Sequence, residues 1–312
     1  MGKRLIGALI LGAAVGAIAT IAWRGPTEGQ VPAYGARTAD GKPDLTGVWQ
    51  AVNTANWDIQ SHAARSAQAV IRGPLPSGEV PAAPVLALGA RGGIPGGLGV
   101  VEGEEIPYQP WAVAKKKENF ENALTRDPEV KCYLPGIPRA TYMPYSFQIV
   151  QTAAKIKMVY EYAAATRTIH LDKVPPPPAE SWMGHSVGRW DGRTLVVDVT
   201  SQIEQTWFDR AGNFHSEALH VIERYTPVSA DHLDYEVTLE DPKVFTRPWK
   251  MRMPLYRRLE KDVQLVEYKC VEFVEELMYG HLRKQQLAKH WAANLGAFGG
   301  QLIIDVTRNV TQ

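Results

Sequence analysis

The 312-residue chain has almost no net charge. It carries 34 lysines and arginines against 33 aspartates and glutamates, which leaves a formal net charge of +1. The longest basic run, residues 115–117, is followed at once by Glu118 and Glu121, as in a solvated helix face. Nucleic-acid binding requires a clustered positive surface. The charge pattern therefore gives no indication of a nucleic acid as a partner.

Long apolar runs and cofactor motifs are scarce as well. The sequence contains no H-E-x-x-H, no G-x-x-x-x-G-K-[ST] and no G-x-G-x-x-G that opens a helix after a strand, so no nucleotide cofactor is expected. The longest uncharged run covers residues 5–23, behind Lys3 and Arg4, with an A-x-A site at residues 17–19. This pattern predicts a secretory signal peptide over residues 1–23. An uncleaved inner-membrane anchor is the alternative, because the run approaches the length of a membrane span.

Cysteine is almost absent: Cys132 and Cys270 are the only two. Either form of the N-terminal segment predicts a periplasmic or secreted protein that contacts a membrane only through that segment. In an oxidising compartment an even pair of cysteines usually forms a disulfide. Two buried free thiols are the alternative. Two such distant cysteines without a C-x-x-C do not suggest a metal site.

The remaining sequence favours a mainly β protein. A polar linker over residues 24–44 precedes a single domain over 45–312, which includes a Pro/Gly-rich excursion at 71–105. Short runs that alternate apolar and polar residues follow from about residue 146, with a hairpin signal at Asp191-Gly192. Residues 112–126 and about 272–294 have apolar side chains at helical intervals, which predicts a helix in each segment. We expect an antiparallel meander closed into a lipocalin-like barrel, with a two-sheet β-sandwich as the alternative.

Two resemblances to known families bear on the predicted fold and on the domain boundaries. Gly47-Val48-Trp49, at the start of the first predicted strand, resembles the G-x-W signature of lipocalins and their calycin relatives. The block SWMGHSVGRWDGRTLVVDV and its neighbours, from about residue 44 to 283, are similar to a large family of exported, uncharacterised bacterial proteins of acidobacteria and proteobacteria. That second resemblance implies domain boundaries and export, and it implies no particular activity.

Candidate catalytic residues concentrate in two neighbouring stretches and are His185, Asp209, Arg210, His215 and Glu217. Such a group is either a structural hydrogen-bonded network or a histidine held beside a carboxylate as a general base. In the catalytic hypothesis a histidine is the acid or base, a carboxylate orients it, and an arginine stabilises an anion. The predicted reaction is a cofactor-independent lyase, hydratase or isomerase step on a small, largely apolar molecule.

Candidate ligand-binding residues are aromatic or cationic and are Arg139, Tyr142, Tyr145, Trp182, Arg189 and Trp207. They suit a small apolar or aromatic molecule, although core packing is the alternative for the rings. The second functional hypothesis is therefore a non-catalytic lipocalin-like periplasmic carrier of a lipid, terpenoid or aromatic compound. No cofactor is expected, because the histidines of the meander lack the usual helical i, i+4 or strand i, i+2 spacing of metal ligands. A Zn²⁺ or Fe²⁺ site built from His170, His185, His215 and His220 is the less favoured alternative.

Overall fold

The computed structural model describes residues 35–66, 70–72, 79–81, 93–268 and 270. The strands are β1 (Gly47–Ala51), β2 (Arg65–Ser66), β3 (Val70–Arg72), β4 (Glu79–Pro81), β5 (Gly93–Ile94), β6 (Phe147–Gln151), β7 (Lys155–Tyr160), β8 (Thr166–His170), β9 (His185–Asp191), β10 (Thr194–Thr200), β11 (His220–Pro227), β12 (His232–Glu240) and β13 (Trp249–Arg257). The helices are α1 (Pro110–Glu121), α2 (Ala123–Arg126) and α3 (Arg139–Tyr142), with 3₁₀ turns at Pro128–Lys131 and Tyr162–Ala164.

Several predicted segments fall wholly or partly outside this part of the chain. They are the N-terminal segment 1–23, the first part of the linker, much of the Pro/Gly-rich excursion and the C-terminal helix at 272–294. Where the structure describes the chain, it contains no helix with the length and apolar character needed to cross a membrane.

Nine strands form a closed barrel in the order β1-β13-β12-β11-β10-β9-β8-β7-β6, and β6 pairs again with β1. The β8–β9 pair is parallel, and the other neighbours are antiparallel. An odd number of strands cannot close with every pair antiparallel, so one parallel pair is a geometric necessity. The predicted barrel is confirmed, the sandwich alternative is wrong, and the meander is interrupted at this one step.

The parallel step follows from the connection between β8 and β9. Parallel neighbours need a crossover, because the chain must return to the end of the barrel where the first strand began. Residues 171–184 make that return and include four consecutive prolines at 175–178, which have no backbone N–H to donate to a sheet. The segment therefore runs alongside the barrel without adding a strand to it.

Side chains fill the interior of the barrel. In β12 the buried residues Leu233, Tyr235, Val237 and Leu239 alternate with more exposed neighbours, as expected for one inward face. In β10 the apolar trio at 195, 197 and 199 is buried in the barrel. Asp198 on the other face is partly exposed, although Val196 on that face is buried as well. Apolar burial of this kind contributes about 1.5–3 kcal/mol for each large side chain.

The G-x-W triplet has a structural role at the barrel wall. Trp49 is fully buried, and its indole N–H donates to the carbonyl of Leu45 at 2.9 Å. The guanidinium carbon of Arg257 lies 4.3 Å from the centre of the Trp49 ring. A Cβ on Gly47, whose φ is 148°, would lie only 2.1 Å from Nη1 of Arg257. Glycine is favoured here because this positive φ is strained for any other residue, and a side chain would also displace the Arg257 guanidinium.

Candidate functional site

Asp209 joins the long connections that leave the end of the barrel where β1, β10 and β12 finish. Its buried carboxylate accepts the N–H of Ile59 at 2.9 Å, of Ala211 at 2.9 Å, and the backbone and side-chain N–H groups of Asn213 at 3.1 and 2.6 Å. Burial and the nearby Asp58 carboxylate raise the pKa of Asp209 to about 7, and the hydrogen bonds from Ile59 and Asn213 oppose that rise. Four donors occupy the acceptor positions of this carboxylate, so it holds loops together.

A buried ion network lies beside Asp209. Arg139 donates to both carboxylate oxygens of Asp127 at 3.0 and 3.3 Å, to Glu129 at 2.7 Å and to the side-chain oxygen of Asn56 at 2.9 Å. Nε of Arg210 donates to the same Glu129 at 2.7 Å. Burial alone would lower the pKa of Arg139, but the charges of Asp127 and Glu129 raise it above its usual range. Removing one partner would leave an uncompensated buried charge.

A pocket of about 360 Å³, here called the seam pocket, adjoins this network. Its lining consists of residues 50–53 and 144–146 with Trp57, Glu161 and Arg258. Trp49 and Phe147 point into the barrel, so their neighbours Gln50 and Ser146 point to the outer face. The pocket therefore lies on the outside of the wall, where β6 begins beside the end of β1. The guanidinium carbon of Arg210 lies 5.2 Å from the centre of the Trp57 ring, so Trp57 connects the pocket to the ion network.

One wall of the seam pocket is held by the segment that follows β13, residues 258–268, here called the strap. Arg258 donates to the Ser146 hydroxyl at 3.1 Å, and the N–H of Val266 donates to Glu161 at 2.9 Å. The Tyr268 ring packs 4.8 Å from that of Tyr145. The strap thus contacts several of the residues that line the pocket.

The predicted disulfide is confirmed and anchors the strap. Cys132 and Cys270 are bonded, with their Cα atoms 5.5 Å apart and a sequence separation of 138. Cys270 follows Tyr268 of the strap, and Cys132 ends the 3₁₀ turn that carries Glu129. The bond therefore joins the strap to the ion network beneath the pocket.

The candidate catalytic histidines lie in separate places and contact no common residue in the described part of the chain. His185, at the start of β9, is half-buried, with Nε2 3.3 Å from the carbonyl of Val174 and its ring 5.7 Å from that of His170. His215 is buried, with Nε2 2.6 Å from the Thr206 hydroxyl and Nδ1 2.8 Å from a backbone carbonyl. Burial lowers the pKa of His215, so its imidazole is neutral near pH 7.

The predicted carboxylate partners do not contact these histidines among the described residues. Asp209 is saturated by N–H donors, and Glu217 is exposed and pairs with Lys243. β11 begins at His220, so His215 lies in the connection that precedes this strand. Asp241 accepts the backbone N–H and the hydroxyl of Ser216 at 2.6 and 2.9 Å, which holds this segment in a turn.

Among the candidate ligand-binding residues, Tyr145 alone is in the lining of the seam pocket. Arg139 belongs to the buried ion network, and the Tyr142 hydroxyl donates to a backbone carbonyl at 2.7 Å. Trp207 is buried, while the Trp182 ring packs 4.9 Å from that of Tyr133. Arg189 is on the outer face of β9, paired with Asp198 at 2.6 Å.

Sequence reasoning missed a polar cluster inside the barrel. Arg167 of β8 donates to Glu223 of β11 at 2.6 Å, and both side chains are buried. The hydroxyls of Tyr225 and Tyr235 donate to the other oxygen of Glu223 at 2.8 and 2.6 Å. The charged residues interrupt alternating apolar positions on an inward face. That interruption was the available signal, but it does not reveal the partner 56 residues away.

Sequence reasoning also missed that residues 184–188, GHSVG, fit the G-x-S-x-G pattern of a nucleophile elbow. That motif places an exposed serine on a sharp turn between a strand and a helix. Ser186 instead lies within β9, is buried, and pairs in register with Val199 of β10 and Ile169 of β8. The geometry therefore does not match a serine nucleophile.

Among the described residues, no three or more histidine, cysteine, aspartate or glutamate side chains lie close enough together to hold a metal ion. Comparison of the chain with protein-family models, with curated proteins and with solved structures finds no match.

Proposed function

We propose that this protein is a non-catalytic binding protein that holds a small molecule with an apolar or aromatic face in the seam pocket. The observation that carries the proposal is the pocket itself, about 360 Å³ in volume, with the rings of Trp57 and Tyr145 in its lining. Ligand sites typically measure about 300–1,000 Å³ and combine rings with a few polar groups.

The surroundings of the pocket support a preorganised site. Trp57 packs against Arg210, which is held by Glu129, and Tyr145 packs against Tyr268 of the disulfide-anchored strap. A wall that is already ordered loses little conformational freedom when a ligand binds. This arrangement favours binding at the outer wall over binding inside the barrel, whose interior is filled by side chains.

Binding can be tested with a neutral aromatic probe, N-phenyl-1-naphthylamine, whose fluorescence rises in apolar surroundings. We expect saturable binding to the purified protein and an affinity at least about 10-fold lower in Trp57→Ala, because the ring supplies the main apolar face. Trp182→Ala removes another half-buried tryptophan outside the pocket and is the matched control. Thermal unfolding shows whether each variant folds, and Tyr145→Ala is a second pocket variant. Equal affinity in the wild type and both pocket variants would contradict the proposal.

Acid–base catalysis by His185 or His215 is the weaker proposal. His215 has both ring nitrogens engaged within the protein, and His185 lies against the proline-rich crossover at Val174. A catalytic base must reach the proton that it removes in a substrate complex. Turnover of a bound compound that is lost in His185→Ala would favour catalysis over simple binding.

Export remains part of the proposal. The N-terminal sequence supports it, as does the Cys132–Cys270 disulfide, since such bonds persist in oxidising compartments. Fractionation of cells that express the full chain and a chain without residues 1–23 tests it. We expect the full chain outside the cytoplasm and the shortened chain inside it.

A further inference from the structure

We infer that the ligand of the seam pocket is a neutral saccharide, bound through one sugar ring. The inference rests on the proposed binding function and names its ligand class. Three features of the lining lead to it: charged groups that the protein already engages, side-chain amides with hydrogen-bonding capacity to spare, and two aromatic rings.

The charged side chains of the lining are engaged within the protein. Arg258 donates through Nε to both oxygens of Glu260 at 2.8 and 3.0 Å, and through Nη1 to the Ser146 hydroxyl at 3.1 Å. The two oxygens of Glu161 accept the backbone N–H groups of Ser146 and Val266, each at 2.9 Å. A charged ligand would have to compete with these bonds, so the pocket favours an uncharged one. Each Glu161 oxygen keeps a further acceptor position, which suits a hydroxyl donor.

The amides of the lining match hydroxyl groups. The side chain of Gln50 makes no hydrogen bond within the part of the chain that the structure describes. Asn53 accepts the N–H of Ala55 at 2.9 Å, and its NH₂ group donates to the sulfur of Met253, a weak acceptor, at 3.3 Å. A purely apolar ligand would bury these amides without partners, which is unfavourable. Sugar hydroxyls both donate and accept, so they satisfy an amide in either direction.

The aromatic rings suit the other side of a sugar. Trp57 and Tyr145 both line the pocket. A pyranose ring carries hydroxyls around its edge and C–H groups on its faces, and a C–H face packs against an aromatic ring. The lining therefore offers ring surface and hydrogen-bonding groups in one pocket, as an amphipathic ring requires.

The position of the pocket also fits a sugar within a longer chain. The seam pocket is on the outer wall, and Val52 in its lining is 67% exposed. A site open to solvent on the outside of a barrel lets neighbouring sugars extend away from the protein. A site for a free lipid would instead enclose most of its ligand.

The test is calorimetric titration of the purified protein with neutral sugars (glucose, N-acetylglucosamine, cellobiose and maltose), and with glucuronic acid and glucosamine as charged counterparts. We expect at least one neutral sugar to bind and the charged ones to bind at least about 10-fold more weakly. Gln50→Leu, which keeps the approximate volume but removes the amide, should lower the sugar affinity about 10-fold and should not lower the affinity for N-phenyl-1-naphthylamine, because that probe makes no hydrogen bond to the amide. Gln148→Leu, on the outer face of β6 and outside the pocket lining, is the matched control and should bind as the wild type does.

The outcomes separate this inference from the proposed function. If the naphthylamine binds and no neutral sugar does, the saccharide inference is wrong and the binding function stands. If neither binds, both are wrong. Stronger binding of a charged sugar, or equal loss in Gln50→Leu and Gln148→Leu, also overturns the inference.

Discussion

Removing the Cys132–Cys270 disulfide should lower both the stability of the fold and the affinity of the seam pocket. The bond closes a loop with a sequence separation of 138 residues, which contains β6 to β13 of the barrel. In the chain-entropy model, a disulfide that closes a loop of that length restricts the unfolded chain and so destabilises the unfolded state by about 5 kcal/mol at 25 °C. A typical domain is stable by about 5–15 kcal/mol, so this loss would be a large fraction of the total.

The double variant Cys132→Ser/Cys270→Ser is the suitable perturbation, because it removes the bond with little change in side-chain size. Urea unfolding of the oxidised wild type and the double variant gives the difference in unfolding free energy, and wild type reduced with dithiothreitol gives an independent value. A loss below about 1 kcal/mol would refute the loop-closure reasoning.

The same variant tests the role of the strap in the pocket. Tyr268 packs against Tyr145 two residues before Cys270, so releasing Cys270 should loosen that wall. We expect weaker binding of N-phenyl-1-naphthylamine under conditions where the barrel stays folded by circular dichroism. Unchanged affinity in a folded, destabilised variant would show that the strap does not form the pocket wall.

Three further predictions concern the barrel and its buried groups. Gly47→Ala should lower the unfolding free energy by about 1–3 kcal/mol, because its Cβ would displace Arg257 and the φ of 148° is unfavourable for alanine; an unchanged urea midpoint would contradict this. Arg167→Met leaves Glu223 buried without its cation and should cost about 3–5 kcal/mol, whereas adding Glu223→Gln should recover part of the loss in a double-mutant cycle. Burial lowers the pKa of His215 from 6.5, so the unfolded chain takes up a proton first as the pH falls. The His215 contribution to stability is thus present above pH 6.5 and is lost as the pH falls through the lowered pKa; the stability of His215→Gln, measured against pH, should lack that loss.

Local patterns in the sequence were sufficient for much of the barrel. Alternating apolar and polar residues predicted the strands that follow residue 146, and Asp191-Gly192 predicted the hairpin, where Gly192 has a φ of 58°. The helical pattern at 112–126 became α1 and α2, and two cysteines in a chain with an export signal predicted their pairing. These features depend on neighbours within a few residues or on a simple count, so no tertiary information was needed.

The candidate site depended on contacts between distant segments. Glu129 binds arginines 10 and 81 residues away, and Arg167 finds Glu223 at a separation of 56. Nothing local in the sequence distinguishes Glu129 from an exposed glutamate, because its partners are set by how loops meet at the end of the barrel. The predicted contact between a histidine and a carboxylate was not found, for the same reason. Asp209 and Glu217 are near His215 in sequence, but the turns of the connection direct these side chains to other partners.

Side-chain periodicity, turn residues and the cysteine pair were thus enough to predict a mainly β protein with one covalent crosslink, since each acts over a short range or by composition. The choice between a closed barrel and a two-sheet sandwich was made by the tertiary structure. The parallel β8–β9 step, the outward position of the seam pocket and the strap over it came only from closure of the ring of strands. Which segments become neighbours when the barrel closes depends on all of its strands and connections together. No stretch of a few residues contains that information.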